Sequence, residues 1–545
     1  MGAWTSAQRS DTCSSPQSCG DSASEAARKL AAVQDLLGPI IAGVPPGQVG
    51  FPVVAREGDD CNATYNALRT RPFAYSDHGY PLVIFLPATT AEVAALVREL
   101  RAVAERLHEH GVHVAVACGC RTCSFRRSTA KGKADVRLRL NADGQLSMAS
   151  DCVTIDLQRI NYARLDARCN TIAVGGGAKL KHVFEALRGH NLGVATGTHG
   201  DTGVGGLTLS GGVGYLCARL GMACDTMTEA TVVLASGAVV VATDRNEHAA
   251  LMRALRGGGG NFGVVTEFVF ECADVSQCSG GAQLCFAPTQ GMLQAALRSW
   301  DNAVQTCMRP HQFSIFVLPI GAPGYGVVGS SVSGKHDASA DGEFLARLSR
   351  VEGALVKIGA FRPMDFCTEL QPIVDRFVPR MNMCDTGLCL DSLSDRLIGV
   401  IVERSRGPAR LFFRQTGIFM LMPVAYAAAR GLAGRPSCVR RGKYWLFCET
   451  TWLSESDKAA ALEWHRETVR QVRALPQCVG TTAHTWQVRG DEASTYDDAR
   501  AGAAPAAAAA REFVRRAKHR YDPTNFWRMN VNVEPAAAEP DSEDV

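Results

Sequence analysis

The amino-acid sequence predicts an α+β fold, and three features of its patterning support this prediction. Between residues 80 and 273, short apolar runs typical of buried strands alternate with segments of helical periodicity. From 275 to about 480, longer strand-like runs dominate. Two loops of the first region are very rich in glycine. We therefore expect an α/β first region and a separate second unit in which strands and helices are less regularly interleaved.

The first region begins with a predicted β-α-β unit. Leu82–Leu86 is an apolar, strand-type run closed by Pro87. Thr89 and Glu92 form a capping-box pair that predicts the start of one helix, whose apolar spacing continues to Leu107 and ends before Gly111. Val112–Ala117 is the second predicted strand. The remaining predicted elements are the strands Val153–Leu157, Thr171–Val174, Ala230–Leu234, Phe313–Leu318, Tyr325–Val332 and Lys443–Thr451, and the helices Leu180–Leu187 and Asp457–Val472.

Composition excludes several classes of protein. The 545 residues contain 57 Lys and Arg against 54 Asp and Glu, and a net charge of +3 argues against a nucleic-acid binder. No run of about 18 apolar residues is present, and no signal peptide is legible. A cytoplasmic protein whose 20 cysteines are reduced is expected. Gly2 and Ser6 fit a myristoylation pattern, with Cys13 and Cys19 as palmitoylation candidates, which would supply a weak lipid anchor.

The two glycine-rich loops are the main functional signal. Residues 197–214 read GTHGDTGVGGLTLSGGVG, with eight glycines in eighteen residues, and residues 257–263 read GGGGNFG. Glycine lets a ligand approach the backbone closely, and successive exposed amides can form a nest for an anion. Such loops also occur as simple tight turns. Two of them with few charges indicate a cofactor that carries phosphate.

Neither of the common nucleotide-binding loops fits. A dinucleotide fingerprint starting at Gly203 or Gly212 has Thr208 or Cys217 where its third glycine belongs. A P-loop would have to span residues 329–336, where His336 replaces the required hydroxyl residue.

Seven motifs lie along the chain in this order: LVIFLPATTAEVAALV (82–97), VTIDLQRIN (153–161), IAVGGGAKL (172–180), GTHGDTGVGGLTLSGGVGYL (197–216), CDTM (224–227), ALRGGGGNFGVVTEF (254–268) and YDPTNFWRMNVNVEP (521–535). Together they resemble the FAD-linked oxidases of the vanillyl-alcohol-oxidase superfamily, and within it the berberine-bridge-enzyme-like group. The resemblance covers about 450 residues.

This resemblance implies FAD as cofactor, a PCMH-type FAD-binding domain of two α/β subdomains, and a substrate domain whose antiparallel sheet is covered by helices. The expected division of the chain is a polar, partly disordered leader (1–45), the FAD-binding domain (46–273, core 80–273), the substrate-binding domain (274–485), a berberine-bridge-like segment that returns to the FAD domain (486–535) and a disordered acidic tail (536–545).

The resemblance also assigns cofactor-binding positions. Asn530 and Asn532 would lie near the flavin ring, and the Val264–Val265 pair would cover the adenine. The other implied FAD-binding residues are Gly119, Arg121, Thr198, His199, Gly200, Thr202, Gly203, Gly205, Gly206, Gly260, Asn261 and Gly263.

The chain departs from the family pattern where relatives tether their flavin. Arg121 occupies the position of the histidine that bonds to the flavin, and His199 that of the second, cysteine anchor. We therefore expect noncovalent FAD. Cys118, Cys120 and Cys123 form a C-x-C-x2-C cluster, but no second pair follows at zinc-finger spacing, so free thiols and no metal are expected.

The implied activity is that of an FAD-dependent oxidoreductase, an oxidase or dehydrogenase. It would pass a hydride from a small CH-OH or amine substrate to flavin N5, with oxygen or another acceptor reoxidising the flavin. Tyr496 is the candidate base. His465 and Arg441 are weaker candidates, and a histidine at the position of His465 on an amphipathic helix is more often a packing residue. The alternatives are a catalytically impaired flavin-fold protein that acts in binding or as a scaffold, and an NADPH-linked reductase on the same fold.

Overall fold

The computed structural model describes residues 31–44, 49–50, 81–118, 152–306, 311–320, 322–333, 356–358, 361–376, 382–405, 415–424, 442–452, 454–481, 505–529 and 532–537. Gly119, Arg121, Tyr496 and Asn530 lie outside these residues, as do Cys120, Cys123, Arg441 and the N-terminal lipidation pattern.

The first sheet contains the predicted β-α-β unit. Its elements are the strands β1 (Val49–Gly50), β2 (Val83–Phe85), β3 (His113–Ala117) and β4 (Cys152–Asp156) and the helices α1 (31–42), α2 (Thr90–Ala102) and α3 (Ala104–Glu109). The strand order is β1-β2-β4-β3, and the last three strands are parallel. Thr89 caps α2 by accepting from the Glu92 amide at 3.2 Å. Glu92 accepts from the Ala88 amide at 2.9 Å, one residue before the expected partner.

The second sheet is antiparallel and supports both glycine loops. Its strands are β5 (Ala163–Asp166), β6 (Thr171–Gly175), β8 (Met227–Val233), β9 (Val239–Thr243) and β10 (Val264–Glu271), beside a small pair, β7 (Leu192–Gly193) and β11 (Ala273–Asp274). The order is β5-β6-β10-β8-β9. Short helices connect or flank these strands: α4 (Leu180–Leu187), α5 (Val204–Leu209), α6 (Cys217–Leu220) and α7 (Ala249–Leu255).

The third sheet is larger and antiparallel. Its strands are β12 (Gln277–Phe286), β13 (His311–Ile320), β14 (Ala322–Ser333), β15 (Val356–Ile358), β16 (Phe361–Pro363), β17 (Asn382–Leu390), β18 (Gln415–Pro423), β19 (Tyr444–Trp452) and β20 (Cys478–Thr481). The helices α8 (Gln290–Thr306), α9 (Asp395–Arg404) and α10 (Glu455–Arg473) cover one face of it, where alternate strand residues such as Leu388, Phe419 and Leu446 form a common core with them. This confirms the predicted α+β fold with a helix-covered antiparallel sheet.

A last helix, α11 (Pro505–Tyr521), joins the second sheet rather than the third. Val514, Ala517 and Tyr521 are buried in the same apolar core as α7. The residues that follow, Phe526 and Trp527, pack instead into the core of the first sheet. The described end of the chain therefore contacts both of the sheets that flank the glycine loops.

Candidate active site

The two glycine loops lie side by side. The Gly259 amide of the second loop donates to the Leu209 carbonyl of the first at 3.0 Å. The first loop also packs tightly against the end of β3: a Cβ on Gly205 would come within 2.8 Å of the Cys118 Cβ and 2.9 Å of the Gly176 carbonyl oxygen. Glycine is therefore needed at Gly205 for the approach of three chain segments. The loops that sequence reasoning assigned to one cofactor are thus neighbours in space.

His199 and its neighbours form a polar cluster at the start of the first loop. The His199 side chain is buried, and its Nδ1 accepts from the Asp201 amide at 3.2 Å. Asp201 pairs with Lys179 at 3.3 Å and Lys181 at 2.9 Å. Partial burial raises the pKa of Asp201, but the two lysines outweigh this and hold that pKa below its usual range. The carboxylate therefore stays ionised and ties α4 to the loop.

The second loop has a backbone conformation that requires glycine, and its one large side chain is buried. Gly257 and Gly259 have φ of +101° and +70°, which favour glycine. Phe262 is fully buried and anchors the loop in the core. The preceding residue, Arg256, is also fully buried and pairs with Asp244 at 2.6 Å. The loop is thus held from below, and Gly260 is its one partly exposed glycine, since Gly257, Gly258, Gly259 and Gly263 are buried.

Several predicted FAD-binding residues have structural partners within the protein. Asn261 is almost fully buried, and its side chain donates to the Gly258 carbonyl at 2.9 Å and accepts from the Val533 amide at 3.2 Å. Val264 and Val265 lie on β10 and pack into two different cores. Gly203 is the N-cap of α5, which contains Gly205 and Gly206, while Thr202 N donates to the His199 carbonyl. Their contact with a cofactor remains a prediction.

Two buried polar atoms fit a bound cofactor. Ser210 Oγ lies in the first glycine loop, and Asn532 Oδ1 lies in the closing motif of the chain. Neither has a hydrogen-bond partner among the described residues. A buried polar atom without a partner costs roughly 1–3 kcal/mol, so a ligand that pairs with these atoms would remove a penalty the protein otherwise bears. Both atoms belong to segments that the motifs assign to FAD.

The face of the third sheet opposite its helices closes over the first loop. Val213 and Met222 from the loop region pack against Trp445 and Phe447 of β19 in one apolar cluster. Glu449 comes two residues after Phe447 and therefore lies on the same face of the strand. It is the one residue of β19 (residues 444–452) that is not buried. Backbone pairing places it opposite Asp385 on β17 and Ile418 on β18. A partly exposed acidic residue therefore lies on the same face of β19 as Trp445 and Phe447.

Sequence reasoning missed Glu449, because its position depends on strand register. The alternation Trp445, Phe447, Glu449 within YWLFCETTW is visible in the sequence, but which face meets the loops is not. His465 lies on the opposite, helix-covered side, where its ring bonds Thr386 at 2.8 Å and Thr450 at 3.1 Å. It is a packing residue. No group of three metal-ligating side chains occurs among the described residues, and none of the cysteines among them forms a disulfide.

The first glycine loop lies in a stretch of the chain that is similar to known proteins. Residues 139–243 match the family described as an FAD binding domain. The chain is 41% identical over 122 residues to the FAD-linked oxidoreductase pgmH of Aspergillus terreus and 32% identical over 166 residues to (R)-6-hydroxynicotine oxidase of Paenarthrobacter nicotinovorans. These matches span 22% and 30% of this chain, and only 25% and 36% of the respective relatives.

Solved structures extend the likeness to the whole fold. A 6-hydroxy-D-nicotine oxidase from Arthrobacter nicotinovorans superposes with a TM-score of 0.69 at 20% identity, covering 90% of this chain and 99% of that one. A berberine bridge enzyme in complex with (S)-reticuline gives 0.69 at 18% identity, covering 92% and 99%. The chain therefore matches an FAD binding domain over residues 139–243 and shares the overall fold of these solved structures.

The described residues fit FAD as the cofactor. The two adjoining glycine loops, Ser210 and Asn532 would hold it. No helix among the described residues is long and apolar enough to cross a membrane.

Proposed function

We propose that the protein is an FAD-dependent oxidoreductase that oxidises a small CH-OH or amine substrate. The observation that carries this proposal is the contact of the two glycine loops, Gly259 with Leu209, beneath a sheet face that bears an acidic residue. The matches to an FAD binding domain, to part of an FAD-linked oxidoreductase and to part of (R)-6-hydroxynicotine oxidase support it. Noncovalent FAD is part of the proposal and rests on Arg121 and His199.

The protein's residues divide the work in three parts. FAD, when bound, accepts the hydride from the substrate carbon. The glycine loops bind and orient the cofactor. Trp445, Phe447 and Met222 exclude water between loop and sheet. A base must take the proton from the substrate OH or NH, and Glu449 and Tyr496 are the two candidates, Tyr496 lying outside the described residues.

The substrate is proposed as a chemical class, a small alcohol or amine. Oxygen or another small acceptor would reoxidise the flavin, and the protein would act in the cytoplasm, with a weak N-terminal lipid anchor at Gly2.

The test is anaerobic reduction of the FAD-loaded protein by a panel of sugars, alcohols and amines, followed by stopped-flow rates on the best substrate. The variants are E449Q and Y496F, with E463Q as the matched control, because Glu463 is exposed on α10. Loss of the base should slow reduction by about a hundredfold or more in one of the first two variants, with FAD content unchanged. The control should keep the wild-type rate.

Retained FAD that no substrate of the panel bleaches would favour a binding or scaffold role. Equal rates in all three variants would remove both residues as the base.

A further inference from the structure

A buried lysine links the second glycine loop to the end of the chain. Lys518, near the end of α11, has no exposed side-chain surface. Its Nζ donates to the Asn261 carbonyl at 2.7 Å, to Asp522 Oδ2 at 2.6 Å and to the Trp527 carbonyl at 2.7 Å. An ammonium group has three donors, and all three are used. One atom therefore joins the glycine loop, the last helix and the turn after it.

The carboxylate partner organises that turn. Asp522 Oδ1 accepts from the Phe526 amide and Oδ2 from the Trp527 amide, both at 2.8 Å. The turn 522–527 is thus folded around a single buried carboxylate, which places the Trp527 carbonyl within reach of Lys518. Phe526 and Trp527 then pack into the core of the first sheet.

A second tie joins the same loop residue to the chain's last described segment. Asn261 Oδ1 accepts from the Val533 amide, next to Asn532 with its unpartnered buried oxygen. Both the main chain and the side chain of Asn261 are therefore held by residues more than 250 positions away. The glycines on either side, Gly259 and Gly263, have positive φ, so the loop has little conformational preference of its own.

A buried ion pair of this kind is a weak source of stability. The cost of removing two charges from water is about as large as their attraction, and apolar residues of similar size often serve as well. An apolar residue could not, however, join two main-chain carbonyls. The arrangement at Lys518 is therefore better explained by the geometry that it imposes on Asn261 and Trp527.

We propose that Lys518 is a positioning residue that makes the FAD-binding geometry of the 257–263 loop depend on the C-terminal segment. The proposal deepens the function proposed above and rests on it. Lys518 touches no substrate in this account. It acts through Asn261 and through the segment that carries Asn532.

Three variants test this role in the full-length protein. K518M keeps the length of the side chain and removes its charge and donors. K518M/D522N also removes the charge that K518M would leave buried. R404M is the control, because Arg404 likewise donates to a main-chain carbonyl, that of Trp464, but between two of the helices that cover the third sheet. The readouts are the FAD dissociation constant of the apoprotein, hydrogen exchange of residues 257–263, and thermal unfolding.

The expected results distinguish an effect on the geometry of the loop from a general loss of stability. K518M should weaken FAD binding by about tenfold or more, whereas R404M should stay within about twofold of wild type even where both lower the unfolding temperature. K518M/D522N should recover part of the stability lost in K518M, because no charge is left buried, but not all of it, because an amide offers the Phe526 and Trp527 amides one acceptor oxygen where the carboxylate offers two. It should not recover FAD affinity. Exchange of the loop amides should rise in both Lys518 variants and not in the control.

Wild-type FAD affinity and unchanged loop exchange in K518M would overturn the proposal, as would recovery of both stability and affinity in the double variant. If K518M does not fold, K518R serves instead: it keeps the charge for Asp522 but changes the donor geometry, so near-native stability with weakened FAD binding is expected, and native binding would contradict the role. If wild type itself binds no FAD, the proposed function is wrong. Hydrogen exchange of residues 257–263 in the apoprotein would still test whether Lys518 orders this loop.

Discussion

Three buried basic residues, Lys518, Arg256 and His465, have different structural roles. Lys518 and Arg256 lie beside the second glycine loop, and each makes ionic and main-chain hydrogen bonds there. Burial lowers the pKa of Lys518 to about 8, although Asp522 opposes the shift. His465 is equally buried but lies between α10 and the helix-covered face of the third sheet. Position relative to the loops, and not burial alone, separates these roles.

His465 should make stability fall at acid pH. Burial, with smaller effects of Arg466 and Arg473, lowers the pKa of His465 to about 3, so the folded protein keeps the ring neutral. The unfolded chain binds a proton near pH 6.5, and the contribution to stability is therefore complete above that pH and is lost as pH falls towards 3.

Between about pH 7 and pH 5 the loss from this one group is about 2 kcal/mol. In urea titrations, the H465Q variant should show a correspondingly smaller decrease over that range than wild type. An identical pH dependence in both proteins would show that the ring is already charged or exposed in the folded state.

The candidate functional residues could be recognised from the sequence, but their hydrogen-bond partners could not. The glycines and Asn261 were recognised from local motifs. The partners of Asn261, Lys518 and Val533, are 257 and 272 positions away, and no local pattern reports such contacts. His199 was found for the same local reason, while its bond to the Asp201 amide depends on the folded turn.

At the level of secondary-structure elements, two glycines allow neighbouring groups to come unusually close to the backbone. Gly205 brings α5 against Gly176 and the end of β3, and Gly417 on β18 lets the Trp464 ring of α10 lie directly on the sheet. In each case a methyl group would occupy space already filled. The two glycines therefore form a matched pair, one at the cofactor loops and one far from them.

Alanine at either glycine should destabilise the protein, but only one should affect FAD. A Cβ at Gly417 would lie 2.2 Å from the Trp464 ring, and a Cβ at Gly205 2.8 Å from Cys118 Cβ, so each variant should lose about 1–3 kcal/mol of unfolding free energy. G205A should also raise the FAD dissociation constant, because the first loop must shift. Chemical denaturation and FAD titration of both variants check this, and equal FAD affinity in the two would contradict the assignment of Gly205.

Strands and helices with clear periodicity were predicted well, since their signals are local. The predicted Leu180–Leu187 helix agrees with the structure, and the strand at Thr171–Val174 is longer by one residue. The helix after Thr89 is interrupted at Val103 although its apolar spacing continues, so two helices form where one was expected. Strand order and the face that β19 turns towards the loops depend on pairing between distant segments, which periodicity does not encode.

At the scale of the whole molecule, three sheets meet around the paired glycine loops. The first two sheets share cores with the last helix and the turn after it, and the third covers the first loop with an apolar face. A ligand held where these parts converge stabilises the folded state by mass action. Flavin binding and the association of these parts should therefore be coupled.

The visible absorption spectrum of the purified full-length protein, recorded before and after acid precipitation, tests the central claim most directly. The predicted result is the two-banded spectrum of oxidised flavin, with all of the colour in the supernatant after precipitation, identified there as FAD. Colour retained in the pellet would contradict noncovalent binding at the Arg121 and His199 positions. A colourless protein that FAD does not reconstitute would contradict the account as a whole.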